Sequence, residues 1–436
     1  MQHAIWLHLH PLSFVGAQSD SAGVEPAHRF GRIVDWFDYA VELGVSGIAL
    51  GPVFASRTHG YDTTDHFRID PRLGDDTDFR VLLAAAHDRG LRVLLDGVFN
   101  HVGREFPTFV AAEVGGPQAA WFRREQDGGW TRFDGHEMSV ALNHDEPAVA
   151  DHVVDVMVHW LAAGADGWRL DAAYAVPPRF WARVLPRVRQ RFPDSYVVGE
   201  VIHGEYAEIV EASGMDAVTQ YELWKAIRSA VEERNLFELD HALGRHNDML
   251  DTFVPLTFVG NHDVTRIASA IHDERHLPHA LVTLFTVAGT PSVYYGDEQA
   301  FRGTKQERVG GDDAIRPQFP SSPADLSPLG ESTYRLHQEL IGLRRRHPWL
   351  HRARTTTLHL TNMALLYEVR AGDHRLVTAL NLDDTPLEHD VAGISGVLAG
   401  VARLDGSAVT VAPPTYAVPS TGTVPAVLLL PLYVAV

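Results

Sequence analysis

Residues 77–101, TDFRVLLAAAHDRGLRVLLDGVFNH, decide how the chain folds. In the first half, Phe79, Leu82, Leu83 and Ala86 recur at helical spacing, which puts them on one face of a helix over Thr77–Arg89, closed by Gly90. The pattern then changes to a short apolar run, Leu91–Asp96, that reads as a strand. It leads into Asp96-Gly97-Val98-Phe99-Asn100-His101, so polar groups gather where the strand stops.

Outward from this unit the same alternation repeats. Strands are predicted at Ile5–His10, Gly47–Pro52, Leu91–Asp96, Gly167–Asp171, Tyr196–Glu200, Met215–Gln220, Leu256–Gly260 and Pro291–Tyr295, with amphipathic stretches between them. Asp151–Ala163 is one such stretch, with Val154, Met157, Val158 and Leu161 at helical spacing and Gly164 at its end. Strands that each precede a helix predict an α/β fold, a (β/α)8 TIM barrel over residues 1–102 and 148–350. Residues 103–147, rich in Gly, aromatic and charged types, are too long for a plain loop and predict a small inserted domain after the third strand. Beyond Arg346-His347-Pro348 the runs Leu365–Val369, Leu376–Leu380, Val397–Leu404 and Ala426–Val434 predict a C-terminal all-β sandwich over residues 351–436.

The composition narrows the function. Of 436 residues, 45% are hydrophobic and 21% charged, as in an ordinary globular protein. With 37 basic against 56 acidic residues, a formal charge of −19, the chain lacks the basic footprint of a nucleic-acid binder, so no nucleic-acid partner is expected. There is no cysteine, which removes disulfides, thiolate metal sites and cysteine nucleophiles. The start, MQHAIW, has no secretory pattern, and no run reaches the ~18 apolar residues of a membrane helix. The expectation is a cytoplasmic protein with no membrane partner, its oligomeric state left open.

In such a barrel, reactive groups collect at the C-terminal ends of the strands. Here those ends carry Asp96, Asn100 and His101 on the third strand, and Arg169 and Asp171 on the fourth. The fifth ends in Glu200 and the seventh in Asn261-His262-Asp263, while Tyr61 and Asp62 follow the second. Arg169 and Asp171, two positions apart on a strand, share a face. The guanidinium is expected to lower the pKa of Asp171 and keep it ionised, as suits a nucleophile. Glu200, ending an apolar strand, is expected among groups that keep it protonated, as a general acid requires. Carboxylates with an arginine and histidines in one pocket fit the cleavage of a glycosidic bond, whose transition state is positive and whose leaving oxygen needs a proton.

The segments DGVFNHVG (96–103), GWRLDAA (167–173), GEVIH (199–203) and FVGNHDVTR (258–266) resemble, in order, the four signature regions of the α-amylase superfamily, glycoside hydrolase family 13. GYDTTDHFRIDPRLG (60–74) and GTPSVYYGDE (289–298) are similar to the same family, and TQYELWKAI (219–227) to its neopullulanase and cyclomaltodextrinase branch. The resemblance implies Asp171 as nucleophile, Glu200 as acid/base and Asp263 as the carboxylate that holds the distorted sugar. It further implies Tyr61 and Asp62 at the subsite of the cleaved glucose, Tyr61 as a stacking platform, and His101 and His262 as donors to sugar hydroxyls. Arg169 would orient Asp171, Asp96 would support the site, and His203 would line the leaving-group subsite. The implied activity is retaining hydrolysis of α-glucosidic bonds in small maltooligosaccharides or related α-glucosides. The α-1,4 linkage is read mainly from Ala172, where α-1,6-specific relatives tend to carry valine.

The chain also departs from the family. The Lys-His pair that typical α-amylases place after the nucleophile is Tyr174 and Ala175 here, and the extra N-terminal domain of neopullulanase-type enzymes is not expected. Asn100 stands where a calcium ligand would sit, but one such oxygen is far short of calcium's six to eight. No metal and no cofactor are expected, with calcium the lesser alternative.

Plainer readings stand beside these. Asp96 could serve backbone donors, Asn100 could anchor the insertion, and Asp297-Glu298 could shape the barrel rim. Trp6, His8 and His10 read as packing, and any substrate contact from the 312–316 loop is speculative. Two rival functions also remain: a transglucosylase or isomerase such as a trehalose synthase, using the same carboxylates, and a non-catalytic carbohydrate-binding relative. Retention of all three carboxylates speaks against the latter.

Overall fold

The computed structural model describes residues 3–133, 138–308 and 310–390, together with the strand segments 397–399, 402–405, 408–411 and 432–435. Its central sheet has eight strands: β1 (Trp6–Leu9), β2 (Gly47–Leu50), β3 (Arg92–Gly97), β4 (Gly167–Leu170), β5 (Tyr196–Gly199), β6 (Ala217–Val218), β7 (Leu256–Phe258) and β8 (Thr290–Tyr294). They run in the order β6-β5-β4-β3-β2-β1-β8-β7, every pair parallel, and a parallel bridge from Thr219 to Leu256 closes the ring. This is the expected TIM barrel, with strand ends shifted by a few residues. The largest shift is at β6, expected over Met215–Gln220 and reduced to a two-residue strand.

The helices follow from their sequences. The helix Asp76–Asp88 starts in a reciprocal capping box between Asp75 and Asp78 and buries Phe79, Leu82, Leu83 and Ala86. The helix expected from Asp151 begins at Pro147, because Pro is tolerated in the first turn and Val149, Ala150 and Val153 prolong its buried face. It ends at Gly164, whose φ of +117° suits only glycine well.

Register sets the site. Asp96 of β3 pairs with Arg169 of β4, and Arg169 with Val198 of β5. The chain leaves β4 and β5 still in step, since Asp171 N donates to Gly97 O at 3.0 Å and Glu200 N to Leu170 O at 2.8 Å. After β3 a hairpin, His101–Gly103 with Ser139–Ala141, opens the insertion, which also holds the helix Pro107–Glu113. Gly103 must be small, because a Cβ there would lie 2.5 Å from the Asp62 carbonyl. The hairpin thereby packs against the loop that carries Tyr61.

The C-terminal region is all-β. Arg354–Leu360, Ala364–Ala371, His374–Asn381, Leu432–Ala435 and Val397–Ala399 form a five-stranded antiparallel sheet. Leu387–Asp390, Ala408–Val411 and Ala402–Asp405 form a second sheet. The expected strand Val397–Leu404 is thus divided between two sheets, and of Ala426–Val434 the part before Leu432 lies outside the described residues. Arg344, on the helix Glu331–Arg346, donates to the carbonyls of Phe285 (3.1 Å), Val287 (2.7 Å) and Gly289. It thereby ties that helix to the C-terminal end of the helix Leu277–Thr286. No described helix is long and apolar enough to cross a membrane.

Candidate active site

One guanidinium organises the strand ends. Arg169 Nη1 donates to both oxygens of Asp96 at 2.7 Å and to Asp171 Oδ1 at 3.2 Å. Its Nη2 pairs with Glu200 Oε1 at 2.7 Å. The structure therefore brings Asp96, Asp171 and Glu200 together around a single cation.

Glu200 lies just past the end of β5. The groups on it are donors: Arg169, the hydroxyl of Tyr221 at 3.1 Å and the amide of Ala172 at 3.0 Å. Ala172 reaches it because the chain turns sharply after Asp171, with Ala172 at φ +45°. Left-handed backbone at a residue other than glycine is unusual and tolerates a small side chain best.

The electrostatics of Asp171 correct the sequence reading. Burial pushes its carboxyl well above the usual range, and Glu200, Asp96 and Asp263 add to this against the pull of Arg169. The expectation that Arg169 would dominate fails because burial, the largest influence, outweighs that cation. Asp96, fully buried, is likewise pushed up to about 6 by burial despite Arg169.

Across the pocket, Asp263 Oδ2 lies 3.0 Å from His262 Nε2, and its Oδ1 accepts from Arg316 at 2.8 Å. Arg316 also donates to the His262 carbonyl and pairs with Asp312, both at 2.8 Å. Burial, then His8, Arg169 and Arg316, hold His262 well below the usual imidazole range, so the ring is neutral. The Tyr61 hydroxyl meets the same Nε2 and donates to Asp96 Oδ2 at 3.2 Å. Tyr61 and His262 are nearly parallel, 3° apart.

Other predicted residues are placed differently. Asp62 is fully buried and accepts from the amide and hydroxyl of Thr58 at 3.0 and 2.7 Å. It braces the Tyr61 loop, with its carboxylate turned inward. His101 Nε2 faces the Tyr61 carbonyl at 3.0 Å, and its ring stacks on Phe133 of the insertion at 4.6 Å. In this arrangement that nitrogen serves the loop. Asn100 accepts from Leu142 N at 3.0 Å through its backbone carbonyl and so anchors the insertion. His203 is exposed, with its ring 5.6 Å from that of Tyr174. Among the described residues, His28, Asp75 and Asp78 form a cluster of His and Asp side chains able to hold a metal, and Asp75 and Asp78 cap the helix Asp76–Asp88.

Sequence reasoning missed Tyr221 and underrated Asn261 and Arg316. Asn261 Nδ2 donates to the Tyr221 hydroxyl at 2.7 Å, while Asn261 Oδ1 accepts from Asp263 N at 2.9 Å, so one side chain links the environments of Glu200 and Asp263. The signals for Tyr221 were its position just after the sixth strand and its place within TQYELWKAI (219–227).

Comparison with known proteins agrees with this architecture. Residues 9–353 match the family described as alpha amylase, catalytic domain. A cyclomaltodextrinase from Bacillus sp. is 34% identical over 307 residues, covering 65% of this chain and 55% of its own length. An intracellular maltogenic amylase from Bacillus subtilis (strain 168) is 31% identical, covering 62% and 48%. Neopullulanase 2 from Thermoactinomyces vulgaris is 30% identical, covering 77% and 59%. The chain therefore spans about half to three fifths of the length of these relatives. Among solved structures, a cyclomaltodextrinase superposes with a TM-score of 0.81 at 26% identity, over 94% of this chain and 76% of that one. A cyclic α-maltosyl-(1→6)-maltose hydrolase from Arthrobacter globiformis, 24% identical, shares the fold with a TM-score of 0.79 over 95% of this chain and 97% of its own. With its catalytic-domain match covering most of its length, the chain belongs to the α-amylase family.

Proposed function

We propose that this protein is a retaining hydrolase of α-glucosidic bonds, α-1,4 in short maltooligosaccharides or related α-glucosides. The observation that carries the reading is the sharing of Arg169 by Asp171 and Glu200 at the ends of adjacent strands, with Asp263, in the segment after β7, adding its charge to the surroundings of Asp171. Two carboxyl groups held by one guanidinium lie near enough to act on the same bond. In this reading Asp171 attacks the anomeric carbon, and the glucosyl–oxygen bond breaks as Glu200 gives its proton to the leaving oxygen. Glu200, now a carboxylate, takes a proton from water, whose oxygen displaces Asp171 and restores the anomeric configuration. Asp263 holds the sugar's hydroxyls and Tyr61 stacks against its ring. The exposed His203, beside Tyr174, lines the leaving-group side. The printed names of the relatives, cyclomaltodextrinase, maltogenic amylase and neopullulanase, support an α-glucan substrate, and one printed as intracellular supports a cytoplasmic location. No metal or cofactor enters the scheme.

The test is Asp171→Ala assayed on maltose, maltotriose, isomaltose, trehalose, sucrose, cyclodextrin and starch, with products resolved over time. The variant is expected to lose at least roughly 10³-fold in kcat at unchanged melting temperature. Activity within tenfold of the wild type removes Asp171 from the nucleophile role. New disaccharides at high substrate, in place of glucose and maltose, would replace hydrolysis with transfer. Activity should also survive exhaustive chelation of divalent cations.

Because Asp171 is raised by burial and its carboxylate neighbours, the acid limb of kcat/KM should lie above the ordinary aspartate value of ~4. Asp96→Asn removes one of those negative neighbours and should move the limb to lower pH.

A further inference from the structure

Tyr61 and His262 form a shelf of two nearly parallel rings: they are 3° apart with centroids at 5.4 Å, and the Tyr61 hydroxyl meets His262 Nε2. A third ring runs alongside both. His10, just beyond the end of β1 and 2% exposed, stacks against Tyr61 (centroids 6.3 Å, 29°) and against His262 (5.9 Å, 27°). Its ring cannot turn freely, because Nδ1 is hydrogen-bonded to Ser13 Oγ at 2.9 Å. His8, one inward position earlier on the strand, meets His262 edge-on at 5.0 Å and 86°. The shelf is thus held by two side chains of one segment, one stacked against it and one abutting it.

We propose that His10 is a positioning residue for sugar binding, an aromatic under-layer that sets the plane of Tyr61 and His262. This assigns function to a side chain that sequence alone reads as packing, and it rests on the sugar-binding role proposed above for Tyr61. A ring beneath a stacking platform acts through that platform: when it is removed, Tyr61 can tilt into the vacated space and meets the sugar face less well. The bond-making groups Asp171 and Glu200 are on other strands and keep their partners, so the effect falls on binding rather than on chemistry.

The experiment compares His10→Ala and His10→Phe, with steady-state kinetics on maltotriose and a crystal structure of each variant. An aromatic pair stabilises by a modest amount, so His10→Ala should raise KM roughly 3- to 10-fold while kcat falls less than about threefold. His10→Phe keeps a flat ring but loses the Ser13 tether, and should bring KM back to within about twofold of the wild type. The His10→Ala structure should show the Tyr61 ring tilted toward the vacated site. The proposal is overturned if KM is unchanged in His10→Ala, if His10→Phe and His10→Ala raise it equally, or if Tyr61 keeps its plane in both structures. The crystallographic arm needs no activity, so absence of maltotriose cleavage by the wild type would remove the hydrolase reading while the ring arrangement is still decided.

Discussion

Arg169 and Arg344 are both withdrawn from solvent, and their charges are met in opposite ways. Arg169 faces Asp96, Asp171 and Glu200, more negative charge than one cation balances. Two of those carboxyls, Asp96 and Asp171, are pushed upward as a result of burial and mutual repulsion. Arg344, 6% exposed, pairs with no carboxylate among the described residues; three backbone carbonyls surround it, and burial pulls it down to about 9. The carbonyl dipoles at the end of the helix Leu277–Thr286 suit a cation without introducing a second ion that would itself need compensation. At the barrel mouth charge is crowded beyond what stability favours, and that crowding suits groups that must exchange protons. At the seam with the helix Glu331–Arg346 the cation is met by backbone carbonyls, with no carboxylate beside it among the described residues.

Replacing each arginine by methionine separates the two kinds of site. Arg169→Met should lower kcat/KM at least roughly 10³-fold, ~4 kcal/mol of transition-state stabilisation, with a modest change in melting temperature. Arg344→Met should do the reverse: activity per folded molecule stays near wild type, while denaturant titration shows a loss of about 3 kcal/mol from stranded carbonyls. If Arg344→Met is as stable as the parent, or Arg169→Met remains active, the contrast breaks.

A third buried group sharpens the comparison, because it is charged and buried but outside the proposed chemistry. Glu298 accepts from Tyr39 at 3.0 Å and from the Gly296 amide at 2.8 Å, and burial pushes it up to about 7. A carboxyl raised on folding contributes stability that is fully present below its unfolded pKa of ~4.5 and is lost as pH rises through its folded value. The protein should therefore lose stability between pH 5 and 8, and Glu298→Gln should flatten that loss by ~2 kcal/mol. Urea titrations across this range decide it; parallel slopes for the two proteins would show that Glu298 does not titrate there.

The smallest expected effect is at the turn beside Glu200. A β-branched side chain at the left-handed Ala172 costs ~1–2 kcal/mol and loosens the amide that donates to Glu200. Ala172→Val should lower the melting temperature by a few degrees and kcat by less than about tenfold. An unchanged kcat would detach that backbone turn from the placement of Glu200.

The barrel was legible because its signals are local. The spacing of Phe79, Leu82, Leu83 and Ala86 and the apolar run that follows depend on neighbours in sequence, and the same holds at β1, β2, β4 and β8. Boundaries were less legible: β6 shrank to Ala217–Val218 because a strand ends where its pairing ends, not where apolar residues do. In the candidate site, Arg169, Asp171, Glu200 and Asp263 were marked by their positions at strand ends. The partners of those residues were not. Nothing near Tyr221 in sequence announces that its hydroxyl reaches Glu200, and nothing near Arg316 announces Asp263; each pair joins segments far apart in the chain.

From sequence alone came the alternation of helix and strand, the absence of cysteine chemistry, and the concentration of carboxylates, arginine and histidines at particular strand ends. These are properties of residue type and spacing. Only the folded molecule decided how many carboxylates share Arg169, which way Asp62 turns, and that His10 is stacked against Tyr61. Such outcomes depend on distance and burial between segments remote in sequence, and electrostatic and packing energies vary with that separation in space rather than along the chain.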